Sequence, residues 1–469
     1  MATPVAPQVE ALLPVTIDQG GIRYAPGVKA GPWIFATGHK GNDDLAGSMA
    51  AKVLRSGLPS WESSKHRRES DQIFSNLGRV LNARSASYAD IVRVDQYYTD
   101  YRAVPPYHGA RRAALGEHIP PSTSILQQRF LLEGQDIEME MIAVAPGKGM
   151  NVEHVRHKAH AIHESSGYSL AVTAGDFVFV AGRLADALVL TDGLAPEVRL
   201  PAGHLWKGVP VKLETEFIIT QKLAPALEAA ASSLGDMVKC QVYLRDPADF
   251  APFNEVWRAH FPQNVPATSV IPMSTPGLAI EEGRMEINAI ALKTAGKTRP
   301  RFIDAGVMPA WSGHTQAVHA GDLLFISGLV AIDSNGVIER ARIDPAQPYF
   351  GSSIEAQMDY LLTNARKICA SAGTSLANVV RIQQFHTDLN EFYPAYQVWN
   401  SICPGSICRI PRLKSRLFQC PDAQCCSTFG FTRRDCAFVA EISTRMKTGV
   451  RACSSHHTVV CRVIYFCLR

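Results

Sequence analysis

The sequence predicts an α+β protein of three tandem copies of one module, each a mixed sheet with two helices on one face, the third copy truncated. Two observations carry this. The segment Val28-Lys-Ala-Gly-Pro-Trp-Ile-Phe-Ala-Thr-Gly38 returns as Val172-Thr-Ala-Gly-Asp-Phe-Val-Phe-Val-Ala-Gly182 and again as Val318-His-Ala-Gly-Asp-Leu-Leu-Phe-Ile-Ser-Gly328. Downstream, Asp90-Ile-Val-Arg-Val, Asp236-Met-Val-Lys-Cys and Asn378-Val-Val-Arg-Ile recur at matching offsets. Each is followed by an aromatic, an aspartate and a proline: Tyr97, Asp100, Pro106; Tyr243, Asp246, Pro252; Phe385, Asp388, Pro394. A unit of about 145 residues is too long for a solenoid repeat and suits a domain with its own core. The expected modules are residues 1–150, 151–300 and 301–402, followed by a separate segment, 403–469.

Taken in order, the first motif of each copy is an apolar run ending in glycine, the pattern of a buried strand closing on a tight backbone approach. A polar connection then leads to a helix. Its apolar face is Ile73, Leu77, Val80 and Leu81 in copy one, and Ile219, Leu223, Ala226 and Leu227 in copy two. Leu361, Ala365, Ile368 and Cys369 repeat that spacing in copy three. A strand rich in β-branched and aromatic residues follows, then a second helix around Trp257 and Trp399. Copies one and two finish with a proline-containing strand and a last strand, Ile137-Glu-Met-Glu-Met-Ile-Ala and Met285-Glu-Ile-Asn-Ala-Ile-Ala. Strands, helix, strand, helix, strands is an α+β order rather than a doubly wound one.

Copy three leaves the pattern after Ile402. The tail holds eleven Lys or Arg against three Asp or Glu and nine of the eleven cysteines, whereas the whole chain carries a net charge of only +4. A shifted reading frame or misassigned exon is the simplest account of it, an appended, disordered tail the other. Without its terminal strands, copy three is expected to have an open sheet edge and an uncovered helix face. The tail's basic charge could bind acidic surfaces nonspecifically. Its Cys420, Cys425, Cys426, Cys436, His456 and His457 lack the two-residue spacing of a zinc knuckle.

Composition is that of a globular chain, 46% hydrophobic and 19% charged. No apolar run reaches the roughly 18 residues that cross a bilayer. Residues 1–16 lack the basic start and apolar stretch of a signal peptide. The body's two cysteines, Cys240 and Cys369, suit a reducing compartment, so the expected location is cytoplasmic. Both read as small core residues. His154, His157, His160 and His163 are spaced by three, which gathers all four on neither a helix face nor a strand face, so a polar linker is expected rather than a metal site. No phosphate-cradling glycine loop occurs, and no nucleic-acid motif emerges.

The stretches Gly167-Tyr-Ser-Leu-Ala-Val172 and Gln316-Ala-Val318, together with Asp246 through Asn254, Pro266-Ala-Thr-Ser-Val270 and the last strand with Glu286, resemble the RidA family, also called the YjgF family, of reactive imine deaminases. The resemblance implies chorismate-mutase-like modules and sites in clefts between subunits of a homotrimer. There, a small imine is hydrolysed to a keto acid and ammonia without a cofactor or metal. Three linked copies would then form an intrachain pseudo-trimer or join a homo-oligomer. It also implies roles. Glu138 and Glu286 match the glutamate that handles water or the leaving amine; without the resemblance each is a strand glutamate facing water or a cation. Tyr24 and Tyr168 match a substrate-side aromatic, replaced by His314 in copy three, and Asn254 matches a position held by His108 and Tyr396 elsewhere. Gly38 and Gly182 close their strands at the site. The family's carboxylate-binding arginine is replaced by Ser122 and Thr268, so no clamp is expected and the favoured substrate lacks a free α-carboxylate. Arg183, where the other copies have His39 and Leu329, could bring a guanidinium in from another strand. The alternative to a deaminase is a non-catalytic module that binds a small metabolite or a protein.

Overall fold

The computed structural model describes residues 9–17, 22–45, 48–55, 64–147, 150–156, 166–187, 193–201, 203, 208–273, 277–307, 313–333, 336–344, 346, 349, 351–402 and 461–467. In the first module these form β1 (Val9–Leu12), β2 (Val15–Ile17), β3 (Ile22–Tyr24), β4 (Gly27–Ala30), β5 (Trp33–His39), α1 (Ala51–Leu54), α2 (Lys65–Asn82), β6 (Ile91–Tyr98), α3 (Val104–Leu115), β7 (Ser122–Leu126) and β8 (Ile137–Val144). The second holds β9 (Val152–Val155), β10 (Ala171–Ala174), β11 (Phe177–Arg183), α4 (Val209–Phe217), α5 (Ala224–Ala229), β12 (Met237–Leu244), α6 (Phe250–His260), β13 (Ala267–Pro272) and β14 (Met285–Leu292). The third holds β15 (Arg301–Ile303), β16 (Ala317–Ala320), β17 (Leu323–Leu329), β18 (Ile332–Asp333), β19 (Gly336–Val337), α7 (Ser353–Ala372), β20 (Val379–Phe385), α8 (Phe392–Ile402) and β21 (Cys461–Cys467).

One topology is used three times. The sheets run β1-β4-β5-β8-β6-β7, β9-β10-β11-β14-β12-β13 and β15-β16-β17-β21-β20. Their strand pairs are antiparallel except the parallel pairs β6–β7 and β12–β13. The expected apolar faces of the long helices are buried in all three modules. The recurring aspartate has a local task. Asp100, Asp246 and Asp388 accept the backbone N–H of Arg102, Ala248 and Asn390, capping the turn that starts the second helix. The recurring proline lies in that helix's first turn, where backbone N–H groups have no intrahelical acceptor to lose. In module two the first helix passes through a π turn at Ile218–Leu223 just before Pro225, whose nitrogen cannot donate.

Two expectations are corrected. The chain does not leave the third module for good at Ile402. Cys461–Cys467 pairs antiparallel with both β17 and β20, in the central place that β8 and β14 hold in their sheets. The helix face of copy three is covered, with Leu361, Ala365, Ile368 and Cys369 buried. A counterpart of β7 and β13 is not found among the described residues. His154 is not in a linker either: it lies on β9 and pairs across to Val172, because an alternating strand needs only one face buried. His157, His160, His163 and the tail's Cys420, Cys425, Cys426, Cys436, His456 and His457 lie outside the described residues.

Nor are the modules independent cores. Trp33, Phe35, Phe177, Phe179, Leu323 and Phe325, at equivalent positions of β5, β11 and β17, belong to one buried cluster that crosses all three. Trp33 packs edge-on to Phe177 at 5.2 Å, Phe177 contacts Phe325 at 6.4 Å, and Trp33 Nε1 donates to Asp322 of module three at 3.1 Å.

Beside this cluster the strands β6, β12 and β20 turn polar side chains toward a common centre. Arg93 and Arg381 reach the two oxygens of Asp95 at 2.8 and 2.7 Å, and Arg381 also pairs with Glu140. Gln383 donates to Glu140 at 2.5 Å and to the Tyr97 hydroxyl at 3.0 Å; Tyr97 meets Tyr243 at 3.1 Å, and Gln241 donates to Gln383 at 2.6 Å. Burial alone would raise the Asp95 carboxyl, but Arg93 and Arg381 together hold it below its ordinary value. Arg381→Met, which leaves Asp95 and Glu140 short of a cation, is expected to destabilise the chain by about 3–5 kcal/mol, read from the shift in a chemical denaturation midpoint.

Candidate functional site

The strand-ending glycine repeats for a steric reason. In β5, β11 and β17 the ladder with the next strand slips between Ala36 and His39, Val180 and Arg183, and Ile326 and Leu329, so each glycine sits in a bulge. A Cβ on Gly182 would stand 1.9 Å from Glu286 Oε1, so the carboxyl lies directly against the backbone there. Thr123 Oγ1 of module one would lie 3.2 Å from the same point. Its hydroxyl accepts from Asn288 at 3.0 Å, which ties β7 of the first module to β14 of the second.

These residues lie at the seam between modules one and two. Glu286 is fully buried; burial pushes its carboxyl up to about 8, with the charge of Asp95 adding to the rise and the backbone N–H of Ser124 opposing it. Its Oε2 has no hydrogen-bond partner among the described residues. The Tyr168 phenol is raised by burial, and the charges of Arg183, Asp186, Glu286 and Arg111 act on it as well. Lys222, in the π turn, pairs with Asp186 at 3.0 Å. Of the site residues expected from sequence, Gly182 and Glu286 meet here, beside Thr123, the chain neighbour of Ser122.

The other expected residues divide between the remaining clefts. Between modules two and three, the Thr268 N–H donates to Ser327 Oγ at 2.9 Å, and the imidazole of His314 is held down at about 3 by burial and by Lys239. Lys239 Nζ donates to Ser269 at 2.7 Å and to the Ile326 carbonyl at 2.9 Å. Asn254 is on α6 one turn before Arg258, whose side chain lies against Gly313. The pairing of β21 puts Cys461 opposite Phe385, the register position that Glu138 and Glu286 occupy opposite Tyr97 and Tyr243. In module one, facing module three, Tyr24 donates to the Leu45 carbonyl, and Lys40 lies over its ring. His39 Nε2 contacts the Pro26 carbonyl at 2.9 Å and is depressed to about 4 by burial. Gly38 adopts φ +63°, a left-handed conformation open to glycine, and Glu138 accepts from Gln135 at 3.3 Å.

Beside Ser122 lies a guanidinium that the sequence reading did not single out: Arg111 of α3 is buried and its Nη1 donates to Ser122 Oγ at 3.3 Å. The available signal was the helix position itself: capping aspartates align Arg111 with Trp257 and Trp399, aromatic in both other copies. On the outer seam of modules one and two, a pocket of about 430 Å³ is lined by Ala89, Glu117, His118, Val152, His154 and Arg156. There, His154 Nδ1 contacts Ser169 Oγ at 2.7 Å. No group of three or more His, Cys, Asp or Glu among the described residues could hold a metal ion.

The sequence profile of the family described as Endoribonuclease L-PSP matches residues 20–145, 158–293 and 307–412. A RutC family protein of Pyrococcus abyssi is 35% identical over 126 residues, 27% of this chain and 86% of that protein. The mitochondrial protein mmf2 of Schizosaccharomyces pombe is 30% identical over 125 residues, 26% of this chain and 86% of its own length. Among solved structures, yeast Mmf1 is similar at 28% identity, covering 30% of this chain and 99% of that one with a TM-score of 0.24. Matched three times along its length, the chain belongs to the Endoribonuclease L-PSP family, the RidA or YjgF family of the resemblance, as a tandem of three modules.

Proposed function

We propose that the cleft between modules one and two hydrolyses a small reactive imine or enamine to a carbonyl compound and ammonia. The observation that carries this reading is the Glu286 carboxyl, buried against Gly182 and still protonated near neutrality. Imine hydrolysis needs a proton on nitrogen, a water on carbon, and the proton returned to the leaving amine. Glu286 donates to the imine nitrogen, its carboxylate takes a proton from the attacking water, that proton passes to the amine, and as the carbinolamine collapses its hydroxyl proton returns to the carboxylate. One C=N bond and one water become a C=O bond and ammonia, with the carboxyl restored. Thr123 borders the carboxyl and positions the reactants.

A binding role fits the cleft between modules two and three better, since Cys461 holds the glutamate's register position there and Leu329 that of Arg183. The family's typical homotrimer supports the reading of the linked copies as one intrachain pseudo-trimer. A cytoplasmic setting is consistent with the two buried free thiols, Cys240 and Cys369. Among the described residues no helix is long and apolar enough to cross a membrane.

Release of ammonia and carbonyl product from imines generated in situ tests the reaction. Glu286→Gln keeps a hydrogen-bond donor but cannot pass the proton on, and should lower the rate on the order of 10²-fold or more. Activity that depends on the protonated carboxyl should hold below about pH 8 and decline as pH rises through it. Gly182→Ala should cost a comparable factor with unchanged circular dichroism, because its methyl meets only the Glu286 carboxyl and the Thr123 hydroxyl and no backbone.

A further inference from the structure

The pocket on the outer seam of modules one and two shares no lining residue with the Glu286 site, and its volume of about 430 Å³ is that of a small-molecule site. Module one supplies Ala89, from the turn before β6, and Glu117 and His118, just past the end of α3. Module two supplies Val152 and His154, which share one face of β9, and Arg156, which continues that face beyond the strand.

Hydrogen bonds tie the two walls together. Arg156 Nη2 donates to the Glu117 backbone carbonyl at 2.6 Å, and the Ser169 N–H donates to the Ile119 carbonyl at 2.9 Å. His154 Nδ1 contacts Ser169 Oγ at 2.7 Å, and its ring lies 5.6 Å from that of His118. Walls fixed to each other in this way are preformed, so a ligand loses little affinity to ordering them.

Opposite charges line this pocket without neutralising one another. Arg156 takes the backbone carbonyl of Glu117 rather than its carboxylate, and neither side chain has an ion-pair partner among the described residues. Burial, then His118 and Arg156, hold the His154 imidazole below its ordinary value, so near neutrality it is an uncharged hydrogen-bonding group. Beside the imidazoles the lining therefore offers one guanidinium, one carboxylate and the apolar surface of Ala89 and Val152.

The other seams do not repeat this set. Across from the recurring valine, where β9 places His154 opposite Val172, the other modules place Ala11 opposite Val28 and Phe302 opposite Val318. Two residues on, Arg156 is matched by Leu13 and Asp304. Counted from the capping aspartate, Glu117 and His118 correspond to the uncharged Gln263 and Asn264 of module two.

A ligand that meets both charges at once carries an ammonium and a carboxylate on one small frame. We infer that the outer pocket of modules one and two binds one free α-amino acid with an apolar side chain. Its carboxylate lies on Arg156, its ammonium on Glu117, and its side chain against Ala89 and Val152. This site is separate from the deaminase reading and does not depend on it.

Calorimetric titration of the full chain with L-leucine tests the assignment, with leucinamide, which lacks the carboxylate, and isocaproate, which lacks the ammonium, as partial ligands. Leucine is expected at one site per chain, and each partial ligand on the order of tenfold weaker or more. Glu117→Gln and Arg156→Gln should weaken leucine by a similar factor; both side chains are exposed, so neither change touches the core. Ala89→Trp fills the pocket from an exposed position, leaves its charges in place, and should abolish binding. Glu286→Gln should leave leucine affinity unchanged, whatever it does to imine turnover. Absence of leucine binding, three sites per chain, or a partial ligand bound as tightly as leucine would overturn the proposal. So would affinity that survives Ala89→Trp or both charge substitutions, or that is lost in Glu286→Gln.

Discussion

Asp95, Glu140, Arg93 and Arg381 are taken out of water at the centre of the molecule, and the cost of burying them is offset only if strands from different modules hold them in register. Asp95 belongs to β6 and Arg381 to β20, while Gln241 of β12 and the tyrosine pair Tyr97–Tyr243 complete the ring of donors and acceptors. Each module alone would leave part of this network unsatisfied. The aromatic cluster of Trp33, Phe177 and Phe325 beside it adds apolar burial that likewise no single module could complete.

Covalent linkage of the copies removes a constraint that identical subunits face. In a symmetric trimer every change is made three times, whereas here each seam can drift alone. The centre shows this already, since the equivalents of Asp95 are Gln241 and Gln383, and that of Glu140 is Asn288. Three identical carboxylates there would repel; one aspartate and one glutamate shared among cations and amides do not. The seams have diverged further. One combines a buried carboxyl with two arginines, one is dominated by Lys239, His314 and hydroxyls, and one presents Tyr24, His39 and Lys40.

Much of the candidate site was legible in the repeat. The glycine that ends each central strand and the glutamate of the last strand belong together because the bulge and the missing Cβ let a carboxyl lie on the backbone, and both were visible as recurring positions. Arg111 was not. Reading the repeat compares each residue with its equivalents, and by that measure Arg111 is only a departure from tryptophan on a helix face. Its placement depends on Ser122 lying across from it and on the Ser166 carbonyl of the next module, to which it also donates.

The sequence by itself determined the α+β order, the threefold repetition, the buried helix faces and the capping aspartates, because these follow from local periodicity and short-range hydrogen bonds. Tertiary structure alone decided which copies adjoin at each seam, that Arg111 of α3 lies against Ser122, and that Cys461–Cys467 pairs with β17 and β20. That last strand had lost all likeness to its equivalents, yet pairing with β17 and β20 is made by backbone groups, which any β-branched and aromatic run such as Val463-Ile-Tyr-Phe466 can supply.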